Sequence, residues 1–312
     1  MKVLGITAGR KNSNSEILLK EALLACQERG AEITMINLKD YHIEECTGCT
    51  VCTHGMSMGK KVDCTLAKKD DKDEIMKVFL EQDAIIFSAP TYDLMPSATF
   101  LKFMHRNLSY ETSFLSAIRA IEQKFPVAGL IAVGGSTRSW QSMALEAMAA
   151  TMFTTSLKVV DMILAKRVPA PAQCLLNDDL IKRAHKLGNN IIDAILTSPE
   201  KREWLGEKGF GWCPNCHSNA LIKGEVQWDG TYWPIECQVC GAGGDLEKDE
   251  NGEWKFVIAK DGLSHDRTTD EGRAHHLEEI KATQGGFYTE ENKKIVQNKR
   301  EYEIFSVNLY FL

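Results

Sequence analysis

Lys2-Val-Leu-Gly-Ile-Thr7 runs directly into Ala8-Gly9-Arg10-Lys11-Asn12-Ser13-Asn14-Ser15. The first six residues form an apolar run suited to a strand buried on both faces. From Ser15 to Arg29 the apolar residues Ile17, Leu18, Leu19, Leu23 and Leu24 recur at helical spacing, and Gly30 stops the pattern. A loop between a strand and a helix N-terminus is a natural anion site, because unpaired backbone N–H groups and the helix dipole converge there. A dinucleotide pyrophosphate needs Gly-x-Gly-x-x-Gly, which this loop lacks. Its hydroxyl, amide and guanidinium donors suit a terminal monophosphate. The plainer alternative is that Ser13, Asn14 or Ser15 only caps the helix.

The same alternation continues outward. Strands are expected at Ile33–Leu38, Ala84–Ser88, Val127–Val133 and Lys158–Leu164. Helices are expected at Lys72–Glu81, Ser97–Asn107, Gln141–Phe153 and Asp178–Leu196. The pattern is that of a doubly wound α/β domain, a parallel sheet covered on both faces, with ligands at the carboxyl ends of its strands. Residues 40–70 form a long Cys-rich loop, and loops of that length are usually functional. Composition shifts after Ser198-Pro199. Five of the six tryptophans follow it: Trp204, Trp212, Trp228, Trp233 and Trp254. Of these, Trp228, Trp233 and Trp254 are expected to form a small core. A helix is expected at Thr269–Lys281, and the apolar end Ile304–Leu312 is expected to dock on the body or on a second subunit.

The chain has 312 residues, enough for one main domain and a smaller module. Its formal net charge is −6, which disfavours broad nucleic-acid binding. There is no apolar run long enough for a membrane helix, and the N-terminus reads as a strand rather than a signal peptide, so a cytoplasmic location is expected. Eight of the ten cysteines fall in two groups, Cys46, Cys49, Cys52, Cys64 and Cys213, Cys216, Cys237, Cys240. In a reducing compartment such grouping points to metal rather than disulfides. Cys26 and Cys174 stand apart and are expected to be packing residues.

Three stretches, GITAGRKNSNS, SAPTYDLMPSATFLKFMHR and AVGGSTR, resemble the NADPH-dependent FMN reductase family and, within it, the iron–sulfur flavoproteins. The resemblance spans roughly residues 1–196. It implies a flavodoxin-like domain with a five-stranded parallel sheet and one bound FMN. By this resemblance Arg10, Ser13, Asn14 and Ser15 hold the phosphate. Pro90, Thr91, Tyr92 and Asp93 line the isoalloxazine ring and ribityl chain, and Gly134 and Gly135 lie against the ring's polar edge. Glycines there permit close backbone approach.

Cys46-Thr-Gly-Cys49-Thr-Val-Cys52 is a Cys-x-x-Cys-x-x-Cys run, the spacing that wraps one face of a cubane in bacterial ferredoxins. A fourth thiolate is needed, and Cys64 is the candidate. Zinc, a redox disulfide or unliganded thiols are the alternatives. The resembling iron–sulfur flavoproteins carry a [4Fe–4S] motif at this place, with the fourth cysteine nearer and an acidic pair behind it. Here eleven residues separate Cys52 from Cys64, and Asp70-Asp71 follows, so the loop reads as carrying an insertion.

The second group has two Cys-x-x-Cys knuckles twenty residues apart, a pattern that converges four thiolates on one tetrahedral ion. The segment resembles a zinc ribbon, with iron as in rubredoxin the alternative. Residues 205–260 hold nine Asp/Glu and five Lys/Arg, so a nucleic-acid role is disfavoured for the module as well. The expected organisation is a flavodoxin-like domain at 1–198 with its cysteine loop at 40–70, a zinc-ribbon-like module at 203–260 and a helical tail at 261–312.

The leading expectation is a flavin-dependent oxidoreductase passing electrons between FMN and a [4Fe–4S] cluster, to a partner protein or a small-molecule acceptor. One alternative is a plain NAD(P)H-dependent reductase of FMN, quinones or nitro compounds without a cluster. Another is a flavin- or metal-dependent sensor or assembly protein. No His–Asp or Ser–His pair suggests hydrolysis. Arg106 reads as a helix-end charge. The resemblance implies a homodimer or homotetramer in which one chain's cluster faces another's flavin, and leaves open NAD(P)H as donor.

Overall fold

The computed structural model describes residues 1–284 apart from residue 123, together with residues 294, 295, 298 and 299. The expected docking of Ile304–Leu312 lies outside the described residues. The first sheet contains β1 (Lys2–Thr7), β2 (Glu32–Asn37), β3 (Ala84–Tyr92), β4 (Met95–Pro96), β5 (Val127–Val133) and β6 (Lys158–Ala165). Its order is β2-β1-β3-β5-β6, all parallel, with the short β4 added antiparallel to β3. This is the flavodoxin-like arrangement, with its switch point between β1 and β3.

Both faces of the sheet are buried, which explains why its strands read as continuous apolar runs. Helices α1 (Asn14–Glu28) and α7 (Asp178–Leu196) cover one face, where Val3, Ile86, Val127 and Ile131 meet Leu18, Leu19, Leu187 and Ile191. On the other face lie Ile6, Phe87, Ala128 and Leu130, packed by α3 (Lys72–Phe79), α4 (Ala98–Met104) and α6 (Ala144–Ala150). Gly188 of α7 is required by close packing, since a Cβ there would meet the Ala22 carbonyl oxygen at 2.1 Å. The two lone cysteines are buried, as expected, and burial pushes the Cys26 thiol up to about 12.

The strand read as ending at Ser88 continues to Tyr92 and turns through Asp93-Leu94 into β4. Both turn residues have positive φ, 46° and 73°, the conformation of a tight hairpin matched to strand twist. The long cysteine loop contains one short helix, α2 (Val51–Ser57). Past α4 the chain tightens into a 3-10 turn at Asn107–Tyr110 and then forms α5 (Thr112–Ala117).

A second, antiparallel sheet has the order β10-β9-β8-β7, from β7 (Leu221–Lys223), β8 (Ile235–Cys237), β9 (Gly243–Lys248) and β10 (Trp254–Ile258). Its buried residues Cys213, Cys237, Val239, Cys240, Ala242 and Phe256 belong to the same apolar cluster as α6 and β6. The module therefore packs on the first sheet's layer. Trp233 is buried in it, but Trp228 and Trp254 are 44% and 55% exposed, which corrects their expected core role. The last described long helix, α8 (Asp270–Gln284), packs on α2 and α5. Among the described residues no helix is long and apolar enough to cross a membrane.

Candidate functional site

The carboxyl ends of β1, β3 and β5 converge on the loop that opens α1. Gly9 sits so close to this helix that a Cβ would meet Ser13 Oγ at 2.6 Å. Ser13 is the N-cap, its Oγ accepting from the Glu16 N–H at 3.4 Å. The Glu16 carboxylate turns back to accept from the Asn12 N–H at 2.8 Å, which closes a capping arrangement. Asn14 is buried and its carboxamide is committed: Nδ2 donates to the carbonyls of Val168 and Ala170, each at 2.8 Å, and Oδ1 accepts from the Cys174 N–H at 2.9 Å. Its side chain thus pins the loop after β6 against α1. Ser15 is buried at the first turn, and Arg10 is exposed on the rim.

Tyr92 and Asp93 are exposed on the β3–β4 hairpin, with Pro90 and Thr91 half-buried behind them. The hairpin is tied down by the Ser97 N–H donating to the Pro90 carbonyl at 2.9 Å and the Met143 N–H donating to Leu94 at 3.2 Å. Gly134 and Gly135 follow β5. A Cβ at Gly134 would strike the Gln141 side chain at 2.3 Å, and one at Gly135 would meet Pro169 at 3.0 Å. Four buried polar atoms in this quarter have no partner among the described residues: Ser88 Oγ, Thr91 Oγ1, Ser97 Oγ and Gln141 Oε1. Buried polar atoms are nearly always satisfied, so a strand-end site with unspent donors and acceptors beside a helix N-terminus fits a polar, phosphorylated, planar ligand. FMN meets that description.

Cys46, Cys49, Cys52 and Cys64 line one cavity of about 70 Å³ together with His105, Arg106 and Leu108. No three of their sulfurs lie within single-ion spacing of one another among the described residues. A single tetrahedral ion would need them closer than this. Cys49 Sγ lies 3.3 Å from Thr65 Oγ1, a contact that lowers its thiol below the usual range, whereas burial pushes the Cys52 thiol up.

Arg106 is a helix-end charge, as expected, but its tie to the cysteine loop is what sequence reasoning missed. Its side chain is 1% exposed and forms a buried ion pair with Asp70, while Nη1 donates to the Glu44 carbonyl at 3.2 Å and Nη2 to Cys64 Sγ at 3.6 Å. Asp70 also accepts from the Glu44 N–H at 2.7 Å. Both ends of the cysteine loop are thereby fastened to one guanidinium. The signal in the sequence was a helix-terminal Arg and an acidic residue behind the last cysteine. Beside them Lys72 is fully buried, donating to Phe103 O and to Asn107 Oδ1 at 2.6 Å, and burial holds its ammonium well below the usual range.

The second cysteine group is compact. All four sulfurs lie within 4.8 Å of one another, with Cys213–Cys240 at 3.6 Å and Cys216–Cys237 at 3.5 Å. A tetrahedral ion with Zn–S bonds near 2.3 Å sets S–S edges of about 3.8 Å. Contacts from Cys213, Cys216 and Cys240 hold the Cys237 thiol far below its usual range. The donor set fits one tetrahedral thiophilic ion. Between this module and the first sheet runs a groove of about 1060 Å³, lined by Arg138, Lys166, Arg167, Arg183, Trp212 and Trp254 among others.

A family model for NADPH-dependent FMN reductase matches residues 1–166. A flavone synthase of Aspergillus candidus is 26% identical over 296 residues, covering 90% of this chain and 88% of that protein. An iron–sulfur flavoprotein of Methanocaldococcus jannaschii is 29% identical over 207 residues, covering 62% of this chain and 97% of that protein. A solved flavone reductase structure superposes over the full length of both chains with a TM-score of 0.73 at 24% identity, which shows a shared fold.

Proposed function

Since the chain belongs to the NADPH-dependent FMN reductase family and is a flavin-dependent oxidoreductase, we propose that it moves electrons between one FMN and a [4Fe–4S] cluster. The FMN would sit at the carboxyl ends of β1, β3 and β5, and the cluster in the loop between β2 and α3. The observation that carries this reading is the convergence of Cys46, Cys49, Cys52 and Cys64 on one cavity, with Cys64 fastened by Arg106. Similarity to an iron–sulfur flavoprotein supports it.

FMN supplies both hydride and single-electron chemistry, and a [4Fe–4S] cluster passes single electrons. Arg10, Ser13 and Ser15 would hold the phosphate with the backbone N–H groups of the α1 N-terminus. Asn14 would contribute its backbone N–H, its carboxamide being spent on the 168–174 loop. Pro90, Thr91, Tyr92, Asp93, Gly134 and Gly135 would frame the ring, and Ser88, Thr91 and Gln141 offer their unpaired polar atoms to it. The Arg106 guanidinium would stabilise negative charge on the Cys64 sulfur. The second cysteine group would hold zinc as a structural ion. Exposure of Cys46 and Cys49 leaves that side of the loop open to another copy of the chain, in keeping with a homodimer or homotetramer.

A second reading rests on a different observation. The groove above β6 sets six cationic side chains against three carboxylates, with two tryptophans beside them, a net-cationic lining suited to a planar, anionic aromatic acceptor. The flavone synthase likeness covers 90% of this chain, against 62% for the iron–sulfur flavoprotein. Reduction of such an acceptor by NAD(P)H would need no cluster.

Anaerobic reductive titration separates the two. The first reading expects about three electrons taken up per chain, and about two after Cys49→Ser. Equal uptake by both proteins, with undiminished reduction of a quinone or flavone, would establish the second.

A further inference from the structure

Three residues far apart in sequence meet on the outer side of the second module. Asp229 lies in the turn between β7 and β8, His265 in the loop after β10, and His275 on α8. Nε2 of each histidine is 3.0 Å from the same oxygen, Asp229 Oδ2. The imidazoles stack at 4.1 Å between centroids, and the three ligand atoms all lie within 4.8 Å of one another.

Each group is held from behind. Asp229 Oδ1 accepts from the Thr231 N–H at 2.9 Å, which orients Oδ2 toward the histidines. His265 precedes Asp266, which is buried and bonded to Asn215 of the first knuckle. Arg267 N–H then donates to the Cys240 carbonyl at 2.8 Å. Trp233 meets the His265 ring edge-on at 5.1 Å, and Trp228 packs on His275 at 5.1 Å. The histidine side chains are only 12% and 28% exposed.

Without a metal, two Nε2–H tautomers can share the one carboxylate oxygen; the same three atoms also converge as the ligands of a single cation would. Zinc with nitrogen and oxygen ligands near 2.0–2.2 Å has ligand–ligand edges of about 3.3 Å, close to the spacing here. Two imidazoles and one carboxylate favour a borderline divalent ion over calcium or magnesium.

We propose that Asp229, His265 and His275 bind one divalent transition-metal ion, Zn²⁺ foremost, separate from both cysteine groups, with its remaining position open to water. The ion joins the β7–β8 turn, the loop after β10 and α8. Since α8 packs on α2 and α5, the site also fixes the cover over the first cysteine loop.

The test is a metal titration of the full-length protein with its cysteine-held metal left in place. After brief chelation of loosely bound ions, wild type should take up about one further Zn²⁺ per chain by calorimetry, and its Tm should rise. His265→Ala and His275→Ala should lose that equivalent and the Tm response. Wild type titrated with Co²⁺ gives an independent readout if a variant misfolds. The added ion should show ligand-field bands without thiolate-to-cobalt charge transfer. No further uptake by wild type, uptake unchanged in both folded variants, or a charge-transfer band on the added cobalt would each overturn the proposal.

Discussion

The two cysteine groups use the same local spacing and do opposite things with it. In the second, two hairpin knuckles bring four sulfurs within 4.8 Å, and three of the four cysteines are buried in a core continuous with the first sheet. In the first, the cysteines stay splayed around a small cavity, two of them exposed, and the loop is fixed by a buried Arg106–Asp70 pair rather than by apolar packing. The lesson is that Cys-x-x-Cys sets only the pitch of a turn. What surrounds the turn decides whether the group is part of the core or a site presented by it.

The largest effect that sharpens this contrast is expected at the second group. Cys237→Ser should release the bound metal and unfold the second sheet, at a cost of several kcal/mol because metal binding there is coupled to folding. Zinc analysis beside thermal unfolding checks it. Next is Arg106→Ala, which strands the buried Asp70 carboxylate and should cost about 3–5 kcal/mol. In an Asp70→Asn background that cost should shrink, as denaturant unfolding would show.

A smaller, pH-dependent effect belongs to the cover. Glu111 pairs with Arg273 of α8 at 3.4 Å, yet burial pushes its carboxyl up to about 7 from 4.5. The folded state therefore takes up a proton more readily than the unfolded chain. Its contribution is fully present below pH 4.5 and is lost as pH rises through about 7, at most about 3 kcal/mol. Glu111→Gln should flatten the pH dependence of Tm across that window. The smallest stability effect is expected for Cys49→Ser, within about 0.5 kcal/mol because the residue is exposed, although it should abolish cluster absorbance. A large loss of stability in Cys49→Ser would break the comparison.

Much of the fold was legible because both faces of the first sheet are buried, so its strands announce themselves as apolar runs. Helix α7 matches its sequence reading end to end, since Asn177 caps it and its apolar stripe is unbroken. The β3 extension was hidden by Pro90, which reads as a strand end but sits at the last β5 pairing, where a missing N–H costs little. Helix α2 was hidden because it is short and has no side-chain cap; only packing shows it, since a Cβ on Gly55 would meet Val62 at 2.4 Å. The cysteine spacing marked the compact second group, and it marked the four residues that share one cavity in the first. The Arg106–Asp70 pair and the meeting of Asp229 with His265 and His275 were not legible, because each joins residues 36 or more apart. No local pattern encodes such a meeting.

The measurement that bears most directly on the central claim is a count of flavin, iron and sulfide per chain in anaerobically purified protein, for wild type and Cys49→Ser. The account predicts about one FMN, four iron and four sulfide in wild type, and one FMN with no sulfide in the variant. Wild-type protein with one FMN and neither iron nor sulfide would contradict it.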